Sequence, residues 1–484
     1  MKNLLLTAFV LMCVFNLFGN SKPNIVFILA DDLGWSDCEL YNTTNYYKTP
    51  HIKRLASKGM TFTRAYTSSP VCSPTRSSIM TGQNPARTGI THARCHLPMV
   101  RMKPNVVDSM PSHRRALEVN YVTRLDTSYY TLAEMLKDNG YATGHFGKWH
   151  LGLEPYHASN HGFDVAIPKH PEGAISSGYM APWKKLKDHD FKGKPGEHIE
   201  DRMAQEAVKF MRKHKSEPFF LNYWAFSIHS PWSAKKELTQ QYAQKIDPLF
   251  PHRNPVYAAM IHSFDEAVGT IINEIEKLGI ADNTIIILYS DNGGNIYPPA
   301  KTEPKGWEHI PGTNSYPLRA GKGSYYEGGI RVPMVVVWPG KTEAGSRTNE
   351  LVISDDWYPT LLDMLNIAPQ ANQIFDGQSF KQVLLNQTYE PKPKFGYRPL
   401  YIFNSTIPAM WVHHGDWKLI RFFCDNADQS DRFELYNLTW DISESYNLSH
   451  RFPKKTSELN AILDSFIIET NCVIPKPNPD YQCK

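Results

Sequence analysis

The sequence has little cysteine, little charge imbalance and no long apolar run past its start, and each shortage excludes a class of protein. Its seven cysteines, at 13, 38, 72, 95, 424, 472 and 483, include no C-x-x-C pair. That excludes a zinc ribbon and a disulfide scaffold, although Cys472 and Cys483 can bridge and tie down the tail. Lys and Arg exceed Asp and Glu by 52 to 48, a net charge of only +4. So small a surplus gives no electrostatic case for nucleic acid or for a membrane surface. No run of 18 apolar residues occurs, so no transmembrane helix is expected. Internal repeats and low-complexity tracts are missing as well. What remains is a 484-residue chain with 41% hydrophobic residues, long enough for one large domain with a smaller companion.

The start is a separate case. Met1-Lys2-Asn3 is positive, residues 4–18 are almost wholly apolar, and Gly19-Asn20-Ser21 is small and polar. This pattern is that of a secretory signal peptide over residues 1–19. Cys13 is a poor lipidation site, because bulky Met12 precedes it. The expectation is an exported, unanchored protein, periplasmic or secreted.

Four runs, at residues 25–29, 219–226, 284–289 and 334–338, are continuously apolar and rich in β-branched or aromatic residues. Continuous rather than alternating runs predict strands covered on both faces. Between them, Phe264, Val268, Ile271, Ile275 and Leu278 recur at helical spacing and stop at Gly279. Residues 131–139 read as a short helix stopped by Gly140. The alternation predicts a large α/β/α domain with a central mixed sheet over residues 20–388. Residues 389–398 are proline-rich and charged and read as a linker. Short strands at 401–403 and 417–421 and a helix at 457–468 predict a small C-terminal α+β subdomain over residues 389–484.

Open α/β sheets bind ligands beyond the carboxyl ends of their strands. Three strand exits carry polar chemistry: Asp31-Asp32, His229-Ser230-Pro231 and Asp291-Asn292-Gly293-Gly294. A cluster of oxygen donors fits a hard cation, Ca²⁺ or Mg²⁺, better than zinc, although paired aspartates also cap turns. Cys72-Ser-Pro74-Thr-Arg76 reads as a helix start, with Ser73 as cap and Pro74 in the first turn. Cys72 would then face unpaired backbone N–H groups, with Arg76 one turn further in; the alternative is a buried structural cysteine. Lys148 and His150 lie two apart, on the same side of an extended stretch. Lys322 sits between glycines that permit close approach to a ligand. His92, Arg94, Cys95 and His96 form a polar, basic loop, either sugar-contacting or simply solvated.

Taken together, Cys72-x-Pro74-x-Arg76-x-x-x-Met80-Thr81-Gly82 and Gly140-Tyr141-x-Thr143-x-x-x-Gly147-Lys148-x-His150 resemble the two signatures of the type I sulfatases. Asp31-Asp32, Asp291-Asn292-Gly293 and the segment 321–333 match that family in the same order. The resemblance implies an alkaline-phosphatase-like fold. It implies that a maturation enzyme oxidises Cys72 to formylglycine, whose hydrate attacks sulfur. It further implies a Ca²⁺ ion held by Asp31, Asp32, Asp291 and Asn292 against residue 72. Arg76, Lys148 and Lys322 would surround the transferred group, His150 would manage a proton of the hydrate, and His229 would protonate the leaving alcohol. Arg94 and His96 would touch the sugar. The narrower similarity is to bacterial sulfatases of algal polysaccharides such as carrageenan or ulvan. Two alternatives are a phosphoesterase or phosphonate hydrolase of the same superfamily, and a sugar-binding relic. A two-zinc phosphatase would need an Asp-x-x-x-His-x-x-His stretch, which is missing near Asp291, and no candidate catalytic residue is lost as a relic would require.

Overall fold

The computed structural model describes residues 22–169, 178–183, 193–401 and 406–482. The expected signal peptide, Cys483 and most of the expected strand at 401–403 lie outside the described residues. The strands of the main sheet, in chain order, are β1 (Asn24–Ala30), β2 (Met60–Tyr66), β3 (Ala142–Gly147), β4 (Val165–Ile167), β5 (Phe219–Trp224), β6 (Thr284–Ser290), β7 (Arg331–Val337), β8 (Ser346–Thr348) and β9 (Val352–Ile353). Their spatial order is β8-β2-β7-β6-β1-β5-β3-β4, with β9 also on β2. Only β7 runs against its neighbours β6 and β2. The apolar run at 334–338 is therefore the antiparallel strand of a mixed sheet.

Every residue of β1, β5, β6 and β7 is buried, as continuous apolar runs require. Among the helices that cover the sheet are α1 (Cys72–Thr81), α2 (Leu132–Asp138), α3 (Ile199–His214), α4 (Pro255–Lys277) and α5 (Trp357–Leu365). Val26 and Ile28 of β1 pack with α3 and α4 on one face, while Ile25, Phe27 and Leu29 pack with α1, α2 and α5 on the other. This is the period-2 alternation of a strand, made doubly apolar because both faces are roofed. Helix α4 shows how local chemistry sets the boundaries. Asn254 Oδ1 accepts from the amides of Val256 and Tyr257 at 3.0 and 3.1 Å, Pro255 opens the helix, and Gly279 ends it at φ +69°. A cap of this kind is worth about 1 kcal/mol.

A second, antiparallel sheet joins β10 (Lys394–Arg398), β11 (Ala409–His414), β12 (Trp417–Phe422) and β13 (Arg432–Asn437). The expected linker thus contains a strand. Proline and charge dominate its composition, but Lys394–Arg398 pairs residue for residue with Ala409–His413. Helix α6 (Pro453–Thr470) covers one face of this sheet with Leu459, Leu463 and Phe466. The other face, through Trp411, Ile420 and Phe422, packs on Tyr66, Tyr325 and Ile330 of the main body. The small sheet is therefore a buttress against the segment that carries Lys322.

Candidate active site

Sheet register assembles the site. Ala30 of β1 lies opposite Ser290 of β6, so Asp31 and Asp291 leave the sheet side by side. On the other flank of β1, Leu29 faces Trp224 of β5, and Trp224 faces Gly147 of β3. Four adjacent strand ends thus deliver Asp291-Asn292, Asp31-Asp32, His229 and Lys148. Gly147 has φ +111°, and a Cβ there would fall 1.9 Å from the Trp224 carbonyl oxygen. Only glycine lets the chain pass this close, and the Lys148 amide then bonds that same carbonyl at 2.8 Å.

Helix α1 starts at Cys72, two residues earlier than the capping pattern predicts. Val71 is extended at its N-cap and caps nothing, and Ser73 Oγ donates instead to the carbonyl of His150 at 2.7 Å. The uncapped helix start leaves backbone N–H groups beside Cys72, a setting that favours anions. Ligand atoms of Cys72, Asp31 and His229 lie within 4.8 Å of one another, and so do those of Asp31, Asp32 and Asp291. One turn into α1, Arg76 donates from Nε and Nη2 to Asp291 Oδ2 at 2.9 and 2.7 Å, and from Nη1 to the Lys148 carbonyl at 2.5 Å. Lys148 Nζ donates to Asp31 Oδ2 at 2.6 Å, and Lys322 Nζ to Asp32 Oδ2 at 2.7 Å. Asn292 Nδ2 donates to Asp32 Oδ1 at 2.8 Å.

Three carboxylates and three cations therefore share a buried space. Two acceptors in it, Asp31 Oδ1 and Asn292 Oδ1, have no partner. Burial and the neighbouring Asp291 push Asp31 up to about 8 against the pull of Lys148. Burial acts the same way on Asp32, but Lys322, His229 and Lys148 outweigh it and hold that carboxyl far below its usual range. Burial also raises the Cys72 thiol, despite Lys148 and Lys322. An unmodified Cys72 is thus a neutral thiol, a weak nucleophile. His150 and His229 are both held well below the ordinary imidazole value, first by burial and then by the lysines.

His150 departs from expectation in conformation. It is not extended but left-handed, at φ +56°, and its Nε2 lies 2.9 Å from His96 Nδ1. His96 therefore touches a catalytic candidate. Arg94 is exposed, and its charge falls on His92 and Glu118. Sequence reasoning missed two supports. Glu200 Oε1 accepts the amides of Phe226 and Ser227 at 2.9 and 2.8 Å, bracing the turn that leads to His229. Tyr257 donates to the Asp32 carbonyl at 3.2 Å and lies 2.9 Å from Asp37 Oδ2. Glu200 reads as an ordinary acidic first-turn residue, and Tyr257 as part of an apolar stripe, so neither left a sequence signal.

An α/β/α sandwich that gathers hard oxygen donors, cations and a helix start at its strand ends defines a hydrolase of anionic esters. The particular family follows from comparison. The sulfatase family model matches residues 23–367, and that of the N-sulphoglucosamine sulphohydrolase C-terminal region matches residues 321–470. The chain belongs to the sulfatase family and is a sulfuric ester hydrolase of alkaline-phosphatase-like fold. It is 30% identical to a sulfatase of Formosa agariphila, over 94% of this chain and 90% of that protein. It is 28% identical to an N-acetylgalactosamine-6-O-sulfatase of Bacteroides thetaiotaomicron, over 92% and 93%. The crystal structure of Ps i-CgsB in complex with k-i-k-neocarrahexaose superposes with a TM-score of 0.73 at 27% identity, covering 96% of this chain and 94% of that one.

Proposed function

We propose that the chain removes sulfate from sugars of a sulfated polysaccharide, or of its oligosaccharides, of the algal kind exemplified by carrageenan or ulvan. The reading includes Ca²⁺ held by Asp31, Asp32, Asp291 and Asn292, and a formylglycine made from Cys72. The observation that carries it is the convergence of Cys72, at an uncapped helix start, with three carboxylates and three cations. The donor set fits a hard dication: all its ligands are oxygens, and Asp31 Oδ1 and Asn292 Oδ1 are buried acceptors left unused. A positive ion there would also oppose the rise of the Asp31 pKa. A relative that is an N-acetylgalactosamine-6-O-sulfatase, and a structural neighbour in complex with a neocarrahexaose, support a carbohydrate ester.

When present, the ion supplies charge neutralisation and the hydrated aldehyde a hydroxyl nucleophile. The remaining work falls to the chain's own side chains. Arg76 holds Asp291 with two donors and cannot drift, so its charge is preorganised. Lys148 and Lys322, now on Asp31 and Asp32, present N–H groups to sulfate oxygens. Loss of one such donor costs about 3 kcal/mol of barrier lowering. His150 accepts a proton at residue 72, with His96 orienting its ring. His229 Nδ1 donates to the Ser230 carbonyl at 2.5 Å, which fixes the Nδ1–H tautomer, so Nε2 takes up a proton as the anionic ester binds and then gives it to the leaving alcohol. The lysines that disfavour a proton on His229 are offset once an anionic ester binds.

Cys72 is buried in the folded chain, so we infer that its maturation enzyme acts before folding. We further propose export to the periplasm or beyond, where an extracellular polymer would be met. The test is to produce the chain with a formylglycine-forming enzyme, weigh the Cys72 peptide, and assay defined sulfated oligosaccharides beside a phosphodiester. Desulfation with an aldehyde at residue 72 supports the reading; phosphodiester cleavage alone refutes it.

A further inference from the structure

The side chain of Arg398 links the C-terminal sheet to the segment that carries Lys322. Arg398 ends β10 and is fully buried. Its Nη1 donates to the carbonyl of Gly323, the residue after Lys322. The Gly323 amide in turn donates to the Pro70 carbonyl at 2.9 Å, two residues before Cys72. One guanidinium therefore braces both segments that present Lys322 and Cys72. Its carbon lies 5.7 Å from the centroid of the Tyr325 ring.

What Arg398 lacks is a counter-charge. It forms no ion pair among the described residues, and its Nε and Nη2 have no hydrogen-bond partner. The acid whose field reaches it, Glu118, spends Oε2 on the Tyr401 amide at 3.1 Å. Of the other buried arginines, Arg76 is matched by Asp291 and Arg331 by Glu327, and Arg124, which has no ion pair among the described residues either, spends Nη1 on the Cys95 and Thr123 carbonyls and Nη2 on that of Leu97. A buried cation with two idle donors is destabilising, and an apolar side chain of similar volume is often neutral or better. Stability alone does not account for an arginine here.

We propose that Arg398 is a positioning residue of the reaction: it fixes the backbone that presents Lys322 and Cys72, and its unpaired charge tunes the pocket for an anion. The proposal rests on the sulfatase reading above. An arriving sulfate group supplies across the pocket the negative charge that the protein withholds.

The test compares wild type, Arg398→Met and Arg398→Lys, each matured at Cys72. Four quantities are measured: melting temperature without sulfate, affinity for inorganic sulfate by calorimetry, and kcat and KM on a sulfated sugar. Arg398→Met is expected to melt at or above wild type, to bind sulfate about tenfold more weakly, and to lose kcat/KM roughly 10- to 100-fold. Arg398→Lys is expected to keep sulfate affinity within about threefold yet lose kcat, because a single ammonium cannot hold Gly323 in the same place. A lower melting temperature for Arg398→Met, with sulfate affinity and kcat per folded molecule unchanged, would overturn the proposal in favour of a structural role. If Arg398→Met does not fold, Arg398→Lys decides, and a wild-type kcat there overturns it. A wild type inactive on every sulfate ester would sink the sulfatase reading, while a fall in sulfate affinity in Arg398→Met would still uphold the role in anion binding.

Discussion

Two buried charge clusters lie on either side of the segment 322–331, and they are built on opposite principles. At its far end, Lys418 Nζ donates to Glu327 Oε1 at 3.0 Å and Glu444 Oε1 at 2.8 Å. Tyr66 donates to Glu327 Oε2 at 2.7 Å, and the Glu327 amide to Glu444 Oε2 at 2.6 Å. Arg331 spends Nε on the Thr63 carbonyl at 2.8 Å. Every oxygen of both glutamates is taken, and none of these side chains has an orphaned atom. At its near end, the cluster around Cys72 leaves Asp31 Oδ1, Asn292 Oδ1 and His150 Nδ1 without partners. The closed cluster joins the two sheets. The open one holds its charges ready for something that is not part of the chain. Unsatisfied buried atoms are costly, so where a fold keeps several together, a ligand is the physical explanation.

The sharpest way to break this contrast is Cys72→Ala. The open cluster should lose turnover by about 10⁴-fold or more, because the nucleophile is gone, while the melting temperature stays near wild type. Steady-state assay and calorimetry on the same preparation check both, and full activity of the variant would remove residue 72 from the mechanism. The mirror experiment is Lys418→Met in the closed cluster. It leaves Glu444 without its cation and Glu327 with Arg331 alone, at a cost of about 3–5 kcal/mol of stability. Denaturant unfolding should register that loss, with kcat per folded molecule within about threefold of wild type. A variant as stable as wild type would mean that the closed cluster does not join the sheets.

A third, smaller effect concerns the proposed ion. Chelation should lower both activity and melting temperature, and Ca²⁺ should restore them. A ligand at a hundredfold excess over its Kd adds about 3 kcal/mol to the folded state, worth a few degrees here. Recovery with zinc alone would contradict an oxygen-donor site.

Much of the open cluster was legible in the sequence, and most of the closed one was not. Strand ends expose their chemistry locally: an apolar run followed by Asp31-Asp32 or Asp291-Asn292 needs only the sheet to bring the pieces together. Lys148 and Lys322 stand beside glycines for the same local reason. The closed cluster joins Glu327, Lys418 and Glu444 from distant segments, and each of them alone reads as a surface charge. Arg398 was hidden in the same way, in a segment whose prolines and charges read as a linker until pairing with β11 turned it into a strand. The helix start at Cys72 was misplaced by two residues because Ser73 had a better partner, the His150 carbonyl, than the end of its own helix.

The smallest effect tests whether an orphaned atom is merely a burden where no ligand is proposed. His198 caps α3, its Nδ1 accepting from the Glu200 amide at 3.3 Å, and its Nε2 is buried without a partner. Burial, aided by Lys235, lowers it from the ordinary 6.5 to about 3. The sign follows from proton counting. Below pH 6.5 the unfolded chain takes up a proton at this histidine that the folded chain refuses until about pH 3. Stability from this group is therefore complete above pH 6.5 and drains away as the pH falls, by on the order of 1 kcal/mol per pH unit. Asparagine keeps an acceptor at the cap and removes the titration. His198→Asn should match wild type within about 1 kcal/mol at pH 7.5 and lose less between pH 6.5 and 4.5, a divergence of a few degrees in melting temperature. Other histidines, half-buried His92 and buried His161 among them, keep a slope in both proteins, so the readout is the difference between the two curves. Parallel curves would show that His198 titrates freely in the folded chain. A divergence in melting temperature with no change in kcat would confirm that an orphaned nitrogen away from the site only costs stability.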